Sequence, residues 1–190
     1  MYASLYPSEV AGMVLVDSAH PDQFKRCSAK VRQFRDDLRR RSDLHGRTMP
    51  FGIPRFMGWC GTDPPEFRSM VRAVECQPKN FRQIDDEFAN FDEDADQVRT
   101  AASLRNMPLA VLSRDTENPF LPGMPSDVAS DLNEIWEPLQ EDLAHLSSNS
   151  SRVIAKGSTH YIQIDRPDVV IEGVQNVVNQ CEVAQAQPNQ

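Results

Sequence analysis

Three short apolar runs punctuate the chain, and each closes on polar residues. AGMVLVDSAH (11–20) ends in Asp17 and Ser18; MPLAVLSRD (107–115) begins beside Pro108 and ends in Asp115; SRVIAKGSTH (151–160) ends in His160. Apolar runs without alternation are the mark of strands buried on both faces, each opening into a loop at its C-terminal end. Between the second and third runs, SDLNEIWEPLQEDLAHLS (130–147) spaces Leu132, Ile135, Trp136, Leu139, Leu143 and Leu146 by threes and fours. That spacing predicts a helix with one core-facing stripe and acids opposite, with a kink expected at Pro138. After the third run, RPDVVIEGVQNVVNQC (166–181) has Pro167 near its first turn and is expected to turn Val170, Val174, Val177 and Val178 inward. Residues 183–190 read as a disordered tail. Strands that each lead toward a helix predict an α/β fold with a parallel sheet.

Roughly 85 residues separate the first two strands, far beyond the 10 to 12 that a crossover needs, so residues 21–105 read as an insertion with its own structure. AKVRQFRDDLRR, PEFRSMVRAVEC and KNFRQIDDEFANFDEDADQVRTAASL are amphipathic and predict helices. The core is therefore expected in 1–20 and 106–182, with 21–105 a helical cap or lid, or else an ordinary helical subdomain. The link TMPFGIPRFMGWCGTDPP fits no regular element, and its Phe51, Phe56, Met57 and Trp59 suggest an apolar pocket wall.

Composition narrows the classes. With 20 Lys and Arg against 28 Asp and Glu, the net charge is −8, which repels polyphosphate and argues against a nucleic-acid partner. The basic segment RQFRDDLRRRSD (32–43) alternates with acids and reads as a solvated helix face. No run reaches the length of a membrane span and no signal peptide is legible, which leaves a cytoplasmic location as the default. Cys27, Cys60, Cys76 and Cys181 lack zinc-site pairing and disulfide-scaffold density, so they read as buried or idle thiols. His20, His45 and His145 show no ligand spacing and are expected at the surface; the acids Asp92, Glu93, Asp94 and Asp96 are out of register for a calcium loop. Neither a metal nor another cofactor is expected.

Three segments in order resemble the C-terminal half of an α/β-hydrolase. MYASLYPSEVAGMVLVDSAHPDQ is similar to the end of the helix behind the nucleophile elbow and the family's sixth strand; MPLAVLSRD is similar to its seventh; GSTHYIQIDRPDVVIEGV resembles the catalytic-histidine loop and final helix. The likeness runs from Met1 to about Cys181, and the segment from Trp136 to Ser147 resembles the esterase-like members. It implies a partial α/β-hydrolase fold, the strands corresponding to the last three of the sheet, with a helical cap insertion.

The resemblance also implies roles. His160 becomes the general base, since a neutral imidazole at the mouth of a parallel sheet can take a proton from a nucleophile and return it to a leaving group. Ser158 and Thr159 lie too near it in sequence to be the attacking hydroxyl, and Tyr161 and Ile162 are expected to pack beneath the loop. The carboxylate that orients the base is Asp17, Asp115 or Glu117. The family usually places it after the seventh strand in a G-x-x-D turn, a glycine that LSRDTEN lacks, whereas some members place it after the sixth, where Asp17 stands; Asp17 is favoured, against the alternative that it only caps its loop.

A serine hydrolase of this type needs G-x-S-x-G, and the 190 residues contain neither it nor G-x-D-x-G. The expectation is the C-terminal portion of a serine-type hydrolase for a carboxylic ester or similar small, partly apolar substrate. Met1 then falls just downstream of the elbow, as in a truncated gene product, inactive alone and prone to self-association through an exposed sheet edge. An epoxide hydrolase or dehalogenase with an upstream Asp nucleophile, and a non-catalytic binding module, are the alternatives.

Overall fold

The computed structural model describes the chain except for residues 61–67, 102, 119, 121–122 and 187–190. Its elements in order are α1 (Tyr2–Leu5), β1 (Met13–Val16), α2 (Gln23–Arg26), α3 (Ala29–Thr48), a 3-10 turn (Met49–Phe51), α4 (Ile53–Phe56), α5 (Arg68–Glu75), α6 (Pro78–Arg99), β2 (Leu109–Arg114), α7 (Ser126–Ala144), β3 (Ser150–Ala155), α8 (Ile162–Asp165) and α9 (Pro167–Ala186). The fold is α/β, with one open parallel sheet in the order β1–β2–β3.

β2 carries the core. Every residue from Leu109 to Arg114 is buried, because β2 is paired on both edges and covered on both faces. Its alternation sorts the faces: Leu109 and Val111 pack with Leu143 and Ala144 of α7, whereas Ala110 and Leu112 pack with Ala155, Ile162 and Val177. α9 approaches closely at Gly173, where a Cβ would come within 3.0 Å of Leu112 Cδ1. β3 departs from the doubly buried expectation: Ser150, Ser151 and Val153 are exposed, as a strand paired on one side only allows.

The helical stripes are partly as read. In α7, Leu132, Trp136, Leu139 and Leu143 are buried around an internal Pro138, but Leu146 lies beyond the helix and is exposed. In α9 the inward positions are Val170, Gly173 and Val177, while Val174 and Val178 are 44% and 48% exposed. Apolar residue type puts all four valines on one face, whereas the contact line runs through Gly173, against Leu112, and leaves Val174 and Val178 off it. α9 also continues to Ala186, past the expected start of a tail at 183.

Two compact units divide the chain: residues 1–31 with 95–190, and residues 32–94. The second is narrower than the expected insertion, since α2 and the adjoining ends of α3 and α6 are tied into the first unit. Arg26 pairs with Asp142 at 2.6 Å, Ser28 donates to Asp131 at 2.7 Å, and Arg99 reaches Asp22 at 2.6 Å. The 32–94 unit is helical, and Met49, Phe81 and a Cys60–Cys76 disulfide form its buried cluster. The disulfide corrects the reading of those two cysteines as buried or idle thiols, while Cys27 and Cys181 are not disulfide-bonded. Sixteen residues apart, Cys60 and Cys76 carry no recognisable spacing. In the link itself, the 3-10 turn and α4 leave Phe51, Phe56, Met57 and Trp59 exposed, and residues 61–65 lie outside the described residues.

Candidate functional site

The strand register brings three loops to one edge of the sheet. Val16 pairs with Leu112 and Leu112 with Val153, so Asp17, Asp115 and the 156–160 loop all emerge at the C-terminal ends of the strands. Asp17 ends β1 abruptly. Its backbone N–H donates to the Leu112 carbonyl at 2.7 Å, but its φ of 43° turns the chain out of the ladder. The carboxylate then takes the place of the next ladder carbonyl, with Oδ1 accepting from the backbone N–H of Arg114 at 3.0 Å. A non-glycine residue in the left-handed region is strained, and such strain is held where surrounding contacts over-determine it.

Those contacts are specific. Asp17 Oδ1 also accepts from Trp136 Nε1 at 2.8 Å, and Asp17 Oδ2 lies 2.8 Å from Nδ1 of His160. The carboxylate is sealed from solvent while the His160 side chain is a third exposed. A carboxylate has no proton to give, so Nδ1–H is the donor and Nε2 is the ring nitrogen left for proton transfer. The ring rests on Phe120, centroids 4.3 Å apart, and is flanked by Tyr161 at 5.4 Å.

The histidine loop is braced from several sides. Gly157, at φ 82°, makes the turn after β3 and donates its N–H to Asp115 Oδ2 at 2.9 Å. Asn118 Nδ2 donates to the Ser158 carbonyl at 3.2 Å, and Asp165 Oδ2 accepts from the backbone and hydroxyl of Thr159 at 2.7 and 2.6 Å. Ile162 is buried beneath, as expected, but Tyr161 is exposed. The Ser158 hydroxyl is fully buried and without a partner among the described residues, which keeps it from an external substrate.

The other carboxylates occupy different positions. Asp115 accepts from the N–H groups of Gly157 and Glu117 and faces Lys156 Nζ at 3.4 Å. These bonds, led by that of Gly157, hold its carboxyl below the ordinary carboxylate value. Glu117 is exposed. Neither is among the hydrogen-bond partners of His160 within the described residues. His20 corrects its expected surface placement: it is buried, its Nδ1 accepts from the Asp22 N–H at 3.0 Å, and burial, aided by Arg26, pushes its pKa down. His45 stacks on Trp59 at 4.9 Å, and His145 is exposed beside Glu141.

Sequence reasoning passed over Trp136 and Arg114. The apolar spacing puts Trp136 in a core stripe and the resemblance makes it the start of the 136–147 segment, but neither uses the fact that a buried indole N–H requires an acceptor. Arg114 ends a buried apolar strand, a position arginine takes only when paired. Its side chain is sealed, with Nε 3.8 Å from Asp17 Oδ2.

An apolar hollow of about 180 Å³ adjoins Ser18, lined by Met13, Leu15, Leu143 and Leu146 among others. The larger cleft of the 32–94 unit is walled by charged side chains such as Asp36, Arg40 and Asp85 and contains none of these candidate residues. Among the described residues no group of three or more His, Cys, Asp or Glu is arranged to hold a metal ion, and no helix is long and apolar enough to cross a membrane.

No protein-family model matches the chain, and no curated protein matches it in sequence. Among solved structures it is similar to a probable hydrolytic enzyme from Pseudomonas aeruginosa PAO1, with 21% identity and a TM-score of 0.49. That likeness covers 93% of this chain and 58% of the other, so the chain spans less than two thirds of that protein's length.

Proposed function

We propose that the chain carries the base and orienting acid of a hydrolase of the α/β-hydrolase type. His160 is the general base and later the general acid; Asp17 fixes its tautomer and stabilises the imidazolium that forms when the nucleophile is deprotonated. The observation that carries this reading is the 2.8 Å contact between His160 Nδ1 and a fully buried, strained Asp17 whose other oxygen is held by two further donors. Asp115 is instead committed to the turn at Gly157. The nucleophile is a serine supplied by a G-x-S-x-G segment outside these 190 residues, and the substrate a small, partly apolar carboxylic ester. The 32–94 unit is the cap, and the open edge of β1 is a route to self-association. The Cys60–Cys76 disulfide favours an oxidising compartment over the cytoplasm.

The test has two parts. The 190-residue chain should hydrolyse a short-chain p-nitrophenyl ester no faster than its His160→Ala variant. The coding sequence upstream, read in frame, should hold G-x-S-x-G, and in the chain that includes it His160→Ala and Asp17→Asn should each lower turnover by about 10⁴. An upstream stop codon without the motif, or an Asp115→Asn loss as large as that of Asp17→Asn, contradicts the proposal. An aspartate at the centre of the elbow would shift the reaction to the epoxide-hydrolase or dehalogenase class.

A further inference from the structure

We infer that Arg114 is a positioning residue for this couple: its guanidinium neutralises the buried Asp17 carboxylate and so keeps the His160 imidazole uncharged and ready to accept a proton. The inference rests on the reading of Asp17 and His160 as orienter and base.

The geometry is that of a closed cluster. Arg114 Nε stands 3.8 Å from Asp17 Oδ2, the same oxygen that meets His160, and has no hydrogen-bond partner among the described residues. The terminal nitrogens are occupied elsewhere: Nη1 donates to the carbonyls of Asp115 and Asn118 at 3.4 and 3.0 Å, and Nη2 to Asn133 Oδ1 at 2.5 Å. The guanidinium carbon lies 5.3 Å from the Trp136 ring and 5.5 Å from that of Phe120. Trp136 also donates to Asp17, and Phe120 also carries the His160 ring, so the two aromatic side chains that enclose the arginine touch the couple as well.

In such dry surroundings opposite charges at this distance interact strongly. A buried carboxylate alone favours a protonated imidazole beside it. With the guanidinium present, Asp17 and Arg114 sum to zero, and protonating His160 leaves the cluster with an uncompensated positive charge. Among the described residues the nearby charged groups do not alter that sum: Asp115 is bonded to Gly157 N–H and faced by Lys156, and the rings against His160, Phe120 and Tyr161, are uncharged aromatics. Burial lowers the Arg114 pKa while Asp17 and Asp115 raise it, and an arginine stays charged against that balance.

A solely structural role, pinning the 115–118 turn to α7, would respond alike to any replacement. The experiment is an NMR pH titration of the His160 imidazole, assigned by its loss in His160→Ala, in the wild type, Arg114→Met and Arg114→Lys. Removal of the charge in Arg114→Met should raise the midpoint by about one pH unit, whereas Arg114→Lys, which keeps a cation but loses the fork of hydrogen bonds, should leave it near the wild-type value. Equal movement in both variants, or movement in neither, overturns the inference. Should Arg114→Met not fold, Asp17→Asn decides: an uncompensated guanidinium should drive the midpoint clearly below the ordinary histidine value of about 6.5, and a midpoint at that value overturns the role of Arg114. A ring that titrates identically in wild type and Asp17→Asn shows instead that Asp17 and His160 are not coupled, which removes the couple itself and with it the part given to Arg114.

Discussion

In β2 six consecutive residues are buried, and a carboxylate and a guanidinium are sealed beside its end; in the 32–94 unit the buried residues among those described are Met49, Pro54, Cys60, Cys76 and Phe81. The first region excludes water from a wide apolar layer, and the energy of that burial can support strained backbone and desolvated charge. Among its described residues the second has little apolar burial, and ion pairs such as Arg47 with Asp43 at 2.9 Å lie on the surface, where each contributes little. It relies on a covalent cross-link instead. Buried charge is therefore placed where packing is dense enough to hold it, and that is where chemistry is to be sought.

Three changes press on this difference. Leu112→Ala removes a fully buried side chain that packs with Ile162 and Val177 and meets Gly173, and it should cost about 2–5 kcal/mol, read as a fall in the denaturant midpoint. The β2 amides should lose hydrogen-exchange protection with it, and those of α3 and α6 inside 32–94 should not follow to the same extent. Reduction of Cys60–Cys76 should act in the opposite place, destabilising the 32–94 unit by about 3 kcal/mol from the loop it closes, with β2 protection retained. Equal loss in both units on reduction would mean that the two fold as one cooperative block.

The smallest effect is expected from pH. Burial holds the His20 pKa below its ordinary 6.5, so the unfolded chain binds the proton more readily than the folded one. Stability from this group is complete above the ordinary value and is lost as pH falls through the folded one. His20→Gln should flatten that part of the acid slope, and an unchanged slope between about pH 7 and pH 5 would show that the imidazole is not desolvated as the fold implies.

Much of the sheet unit was legible because its signals are local. The three apolar runs became β1, β2 and β3, and the leucine and tryptophan spacing became α7, since burial and periodicity are written into adjacent positions. The site was legible only in part. His160 and Asp17 each follow a strand, but their meeting depends on register across 143 positions, which is why Asp115 and Glu117 stood beside Asp17 as alternatives. The partners of the couple were less visible still. Trp136 looked like one more core residue, and Arg114 like the polar end of a strand, until the fold put an acceptor and a counter-charge within reach. Val174 and Val178 show the converse error, for apolar residue type alone does not say which side of α9 meets the sheet.

We propose that Asp17, and not Asp115, fixes the tautomer of His160. Long-range proton–nitrogen NMR spectra of the neutral imidazole test it directly. The ring should be protonated at Nδ1 with Nε2 free, unchanged in Asp115→Asn and lost in Asp17→Asn; a wild-type ring protonated at Nε2, or a tautomer that follows Asp115, would contradict that role of Asp17.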